Sequence, residues 1–286
     1  MKKILTIIIA ALLITPGFAQ DEQAGSSKVV NKNGVPILPE AGDIALGIDM
    51  VPFLNFVGNI ANQTTNNSYN GQFLSNGNTH YGKYFLSSDM AVRGRVGLYN
   101  RTSNLKNYVQ DDAALYVDPN SPDMVIDVYK YVSHNYLIGA GIEKRRGKGR
   151  LQGFFAAEVN LMFGSTKDTY TYGNSFSEIN QTPTTTSFGS NLTGNGRILE
   201  DKGNTYFGVG LNGFLGVEYF IMPNVSLGSE VGWGINYRSY SQSNNVEEIW
   251  NGNAAEEITN LDSPGNNYFG YGLTNPTASL YLMFHF

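Results

Sequence analysis

Phe207-Gly208-Val209-Gly210-Leu211-Asn212-Gly213-Phe214-Leu215-Gly216-Val217-Glu218-Tyr219-Phe220-Ile221 reads as one long strand. Phe207, Val209, Leu211, Leu215, Val217, Tyr219 and Ile221 share one parity, while Gly208, Gly210, Asn212, Gly216 and Glu218 take the other. That is the period of two a pleated strand imposes. Met222-Pro223-Asn224 supplies a turn. The return run sets Val225, Leu227, Val231, Trp233, Ile235 and Tyr237 against Ser226, Gly228, Glu230, Gly232, Gly234, Asn236 and Arg238. Strands of soluble sheets usually run to about six residues. Longer ones, greasy on one face and small or polar on the other, suit a closed ring in lipid, where hydrocarbon offers an open sheet edge no partner.

The same design recurs. Tyr84 and Leu86 precede the turn Ser87-Ser88-Asp89, and Met90, Val92, Val96 and Leu98 follow it, with Lys83, Arg93 and Arg95 on the opposite parity. Lys83 to Gly97 aligns without gaps on Glu218 to Gly232, which fits either an old duplication or convergence of two hairpins on one pattern. A third hairpin alternates Tyr136, Ile138, Ala140 and Ile142 with Gly139, Gly141 and Glu143, and Leu151, Phe155, Ala157, Val159, Leu161 and Phe163 with Gln152, Glu158 and Asn160. Its connection, Lys144-Arg145-Arg146-Gly147-Lys148-Gly149-Arg150, reads as a solvated turn near anionic headgroups. A first strand puts Ile44, Leu46, Ile48 and Met50 outside and Asp49 inside, with Pro52 weakening its later half. The expected strands cover about 43–56, 77–86, 90–103, 125–143, 151–165, 204–221, 225–241 and 267–286. Eight is an even count, as a bacterial single-chain barrel requires. The fold class expected is therefore all-β: an eight-stranded antiparallel transmembrane up-and-down β-barrel. Three connections are short, and about 57–76, 104–124, 166–203 and 242–266 are long polar loops expected to face the exterior.

The amino-terminus gives an address. Met1-Lys2-Lys3, the apolar run Ile4 to Ile14 and the small residues Gly17 and Ala19 predict a cleaved signal peptide over 1–19. The run is shorter than the roughly 20 residues a spanning helix needs. Residues 20–42 form an expected periplasmic lead-in, and 43–286 the barrel. After the signal no apolar stretch reaches helical spanning length, and mean hydropathy is -0.23, which excludes a helical membrane protein. A net charge of -5 argues against a nucleic-acid surface. With no cysteine, disulfides and thiolate metal sites are excluded.

The hairpin Glu218-Tyr219-Phe220-Ile221-Met222-Pro223-Asn224-Val225-Ser226-Leu227-Gly228 and the ending Leu280-Tyr281-Leu282-Met283-Phe284-His285-Phe286 carry a resemblance. Over about 43–286 the chain resembles the small bacterial outer-membrane β-barrel family, of the OmpX and OmpA membrane-domain type, porin-like in the broad sense. The resemblance implies outer-membrane localisation and outer-membrane lipids as partners. It also implies recognition by the barrel-assembly machinery through a carboxy-terminal signal of Leu280, Leu282, Phe284 and Phe286. It implies no single activity, since the family includes adhesion-related, structural, transport and enzymatic members.

The inward parity collects nine charges: Asp49, Lys83, Arg93, Arg95, Glu143, Glu158, Glu218, Glu230 and Arg238. Eight strands enclose a backbone cylinder roughly 16 Å across, so long side chains from opposite walls meet. Arg95 and Glu230, on opposite strands, are one pair placed to do so. A charge network filling the lumen is the expectation, and an ion-conducting path along the same charges is the alternative. Tyr84 and Tyr219 read as interface aromatics. His80, His134 and His285 show no metal-ligand spacing, and no Ser-His-acid arrangement stands out, so no cofactor, metal or catalytic residue is expected. The functional expectation is a structural or surface-interaction barrel with a largely filled lumen. A small porin-like channel and a lipid-modifying enzyme are the alternatives, and an extracellular ligand or an envelope-complex partner is not specified by these residues.

Overall fold

The computed structural model describes residues 29–50, 79–189, 192–193, 196–273 and 279–286. The strands are β1 (Ile44–Asp49), β2 (Thr79–Ser87), β3 (Met90–Gln110), β4 (Met124–Lys148), β5 (Leu151–Thr171), β6 (Leu192–Thr193), β7 (Gly196–Lys202), β8 (Tyr206–Met222), β9 (Val225–Tyr240), β10 (Ser243–Trp250), β11 (Ala255–Ser263), β12 (Asn267–Leu273) and β13 (Ser279–His285). One short helix, α1 (Asp112–Val117), is capped by Asp111, whose carboxylate accepts from the Ala113 and Ala114 amides.

Eight of these strands close a ring. Antiparallel pairing runs β1-β2-β3-β4-β5-β8-β9-β13 and returns to β1. The seam sets Ala45 opposite His285 and Leu46 opposite Phe284, and Ile44 exchanges both backbone hydrogen bonds with Phe286. Three tight connections lie at one end, here the turn end: after Ser87, at Gly149-Arg150 and at Pro223-Asn224. Gly149 (φ 71°) and Asn224 (φ 69°) take the left-handed backbone that two-residue hairpins use. The interior core is small: Ala45, Tyr81, Phe85, Ala91, Phe154, Tyr281 and Met283.

The expectation of eight strands describes the ring and not the whole sheet, which has thirteen strands among the described residues. The segments 104–124, 166–203 and 242–266 are not simply loops. β3 and β4 pair without a break from Met90 opposite Lys144 to Gln110 opposite Met124. β7, β10 and β11 extend the sheet from the far end of β5, with Asp168 opposite Asp201, Glu200 opposite Val246 and Ile249 opposite Glu256. These strands escape a hydropathy reading because both of their faces are polar, as in Thr102-Ser103-Asn104-Leu105-Lys106-Asn107. No greasy parity marks them. The last strand appears as two pieces, β12 and β13, both on β9. The signal peptide, the start of the lead-in, Pro52 and the connection 57–76 lie outside the described residues.

From residue 29 onward the lead-in folds back on the turn end. The Asn31 carboxamide oxygen accepts from the Asn33 and Val35 amides, Ile37 is buried, and the Gly42 amide donates to the Phe85 carbonyl.

The extension has its own aromatic mini-core. The Arg197 guanidinium lies 4.3 Å from the Tyr172 ring centroid and 4.7 Å from that of Phe176, and it pairs with Glu248 at 2.8 Å. Asp127, on the outer part of β4, accepts from the Gly173 and Ser187 amides, both at 2.8 Å, and from the Thr186 hydroxyl at 2.6 Å. Burial alone would raise this carboxyl, but the donors outweigh it and hold the carboxyl below its usual range. A depressed folded value contributes stability above the ordinary carboxylate pKa, and that contribution is lost as pH falls through the folded value. Asp127→Ala is therefore expected to speed hydrogen exchange at Gly173 and Ser187 at neutral pH, leaving β8 and β9 protected. Unchanged exchange at these two amides would refute the anchoring role.

Candidate functional site: the interior of the ring

Strand parity turns a set of long charged side chains of the turn-end half inward. Four bases, Lys83, Arg93, Arg95 and Arg145, meet four acids, Glu143, Glu158, Glu218 and Glu230, and none is more than 7% exposed. Lys83 Nζ lies 3.0 Å from both Glu143 and Glu218. Arg93 reaches three carboxylates: Nε to Glu158 at 2.6 Å, and terminal nitrogens to Glu230 at 2.8 Å and Glu143 at 3.3 Å. Arg95 pairs with Glu158 at 2.7 Å, and Arg145 pairs with Glu143 at 2.8 Å and with Glu218. The set is charge-balanced, so each desolvated ion faces a counter-ion.

Aromatic rings pack between the charges. Lys83 stands over Phe154 (4.9 Å), Arg95 and Arg93 over Phe214 (4.7 and 5.1 Å) and Arg145 over Phe85 (4.8 Å). Cations over ring faces gain further attraction where water is excluded. The pairs Lys83 with Glu218 and Arg93 with Glu230 join strands on opposite sides of the ring, β2 to β8 and β3 to β9.

Of the nine inward charges read from the sequence, seven fall in this network. Asp49 is half-buried at the end of β1, opposite Tyr281. Arg238 stands apart at the far end of β9, exposed, stacked 5.5 Å from the Tyr206 ring centroid. Glu230 is paired with Arg93 and not with Arg95, whose partner is Glu158 on β5. Arg145 corrects the reading of Lys144 to Arg150 as a solvated turn. β4 runs on to Lys148, and the parity that turns Glu143 inward turns Arg145 inward two residues later. Continuing the alternation by one step is the signal that finds it.

The other residues singled out are placed as follows. Tyr84 and Tyr219 are exposed on the outer face near the turn end. Along β13, Leu280 and Leu282 are half-buried and Phe284 exposed, Phe286 is exposed just beyond it, and the alternate Tyr281, Met283 and His285 are buried.

The fold also brings together Ser226, His285 and Glu218, a trio that no sequence spacing announces. Ser226 Oγ lies 2.8 Å from His285 Nε2, and Glu218 lies 3.3 Å from the same nitrogen and also accepts from Ser226. A nucleophilic relay needs the acid on one imidazole nitrogen and the serine on the other. Here both converge on Nε2 and Nδ1 has no partner among the described residues, with all three groups buried. The contacts are those of a packed hydrogen-bond cluster.

No family model and no curated protein matches the chain. Among solved structures, the chain is similar to a major outer membrane protein from Thermus thermophilus, at 13% identity and a TM-score of 0.33, over 85% of this chain and 98% of that one. It is also similar to the outer membrane protein OprG from Pseudomonas aeruginosa, at 9% identity and a TM-score of 0.29, over 87% of this chain and 98% of that one.

Proposed function

We propose that the chain is an integral outer-membrane β-barrel of the small type, with a plugged lumen and a non-catalytic structural or surface-interaction role. The face turned away from the plug supports insertion. Large apolar side chains stand exposed all round the ring, among them Leu46, Val92, Ile142, Phe155, Leu215 and Trp233, with Leu215 65% exposed. Such a belt far exceeds the scattered apolar exposure of a soluble surface. On β5 the greasy parity runs from Leu151 to Phe163 and gives way to Ser165 and Lys167. Twelve residue steps of about 3.3 Å, tilted about 40°, rise roughly 30 Å, close to the apolar band of such barrels. With the turn end in the periplasm, the extension built on β3, β4, β5, β7, β10 and β11 projects outward as a folded wall.

The observation that carries the plugged reading is the balanced, water-excluded set of eight charges spanning the cylinder. A conducting path needs hydrated space along its axis. The protein in planar bilayers is expected to show no steady open channel under an applied voltage. Long-lived, ion-selective openings would overturn the plugged reading in favour of a porin-like channel.

A further inference from the structure

Above the plug, at the mouth remote from the turn end, the inner wall of β9 and β12 holds a pocket of about 460 Å³, within the size range of small-ligand sites. Its wall includes Arg238, Tyr240, Tyr268, Asn236 and Asn266. Cross-strand pairing sets Tyr268 beside Arg238 and Gly270 beside Asn236, so these positions share the inward face. The Tyr240 and Tyr268 rings meet edge to face at 5.5 Å, and Tyr268 remains 60% exposed.

Arg238 differs from the plug arginines, since among the described residues it meets no carboxylate and its only hydrogen-bond partner is the Met162 sulfur at 3.8 Å. Nor does any described residue engage the side-chain amides of Asn236 or Asn266. Glycines make the room. A Cβ at Gly208 would sit 3.1 Å from Arg238 Cγ, a Cβ at Gly210 would collide with the Asn236 carboxamide, and a Cβ at Gly270 would meet nothing within 4 Å.

We infer that this pocket is a binding site for a carboxylated sugar, a uronate. The geometry supplies each element of that recognition. An unpaired guanidinium takes a carboxylate through charge-assisted hydrogen bonds. Uncommitted carboxamides both donate to and accept from neighbouring hydroxyls. An exposed tyrosine face covers the C–H side of a pyranose, joining apolar contact to a polar edge. The inference rests on the barrel reading above and names the ligand class of its outward mouth.

The test is calorimetric titration of the full chain in detergent micelles with digalacturonate and with the uncharged galactose disaccharide. Digalacturonate is expected to bind at least about tenfold more tightly than the neutral sugar, the effect of one charge-assisted hydrogen bond. Arg238→Gln should abolish that preference, and Gly270→Leu, which fills the pocket while leaving every polar group in place, should abolish binding. Equal affinities for the two sugars, no binding, or unchanged digalacturonate binding by both variants would overturn the assignment. Circular dichroism and bilayer recordings on the same preparation separate the two levels. Loss of strand signal or steady conductance overturns the plugged-barrel reading, whereas a folded, closed barrel with no uronate preference overturns only the pocket.

Discussion

Arg93→Met is expected to lower the unfolding stability of the purified barrel by about 3–5 kcal/mol, the usual cost of removing one partner from a buried ion network. Among the described residues Arg93 alone bridges three of the four carboxylates inside the ring. Without it Glu143 keeps Lys83 and Arg145, and Glu158 keeps Arg95, but Glu230 loses its only ion-pair partner among the described residues. Methionine retains apolar volume against Phe154 and Phe214, so the loss isolates charge from packing. The double variant Arg93→Met with Glu230→Gln restores neutrality and should regain most of the stability, which denaturant titrations in micelles would measure. A single variant as stable as the native chain, or a double variant no better than the single, would show that the network does not hold the barrel as a unit.

The network also explains what was legible in the sequence. Parity alone places seven of the eight charges on the inner face, because in a strand alternation dictates facing whatever the partner. The partners are a different matter. Lys83 and Glu218, equivalent positions of two aligned hairpins, meet across the lumen at 3.0 Å. That contact depends on how the ring closes and where the two hairpins stand relative to one another, which local periodicity does not encode. Arg238 has the right parity yet belongs to the mouth, because depth along a tilted strand is set by register against its neighbours. The outer extension was hidden for a third reason: its strands are held by backbone pairing and by contacts such as Arg197 with Tyr172 and Glu248, without the greasy face that marks a lipid-contacting strand.

Glycine placement carries the other large effect. Gly228 and Gly213 both lie within the strands of the β8–β9 hairpin, but on opposite faces. A Cβ at Gly228 would fall within the Tyr281 ring, which is 1% exposed and packed 5.0 Å from Tyr81, whereas a Cβ at Gly213 would meet only the Trp233 and Ala156 carbonyl oxygens at 3.8 and 3.9 Å. Gly228→Leu must therefore drive Tyr281 out of the interior at the strand that closes the ring. Overpacking of this kind costs about 1–3 kcal/mol where neighbours yield. Tyr281 is packed in the buried cluster with Tyr81, Phe85, Phe154 and Met283, so the expected result is failure to refold into detergent, read as loss of protease resistance. Gly213→Leu adds an apolar side chain to the outward, exposed parity of β8 and should leave refolding unchanged. Gly228→Leu combined with Tyr281→Ala returns space to the same spot and should recover refolding. Normal refolding of Gly228→Leu, or failure of Gly213→Leu alone, would contradict the assignment of inner and outer faces to β8 and β9.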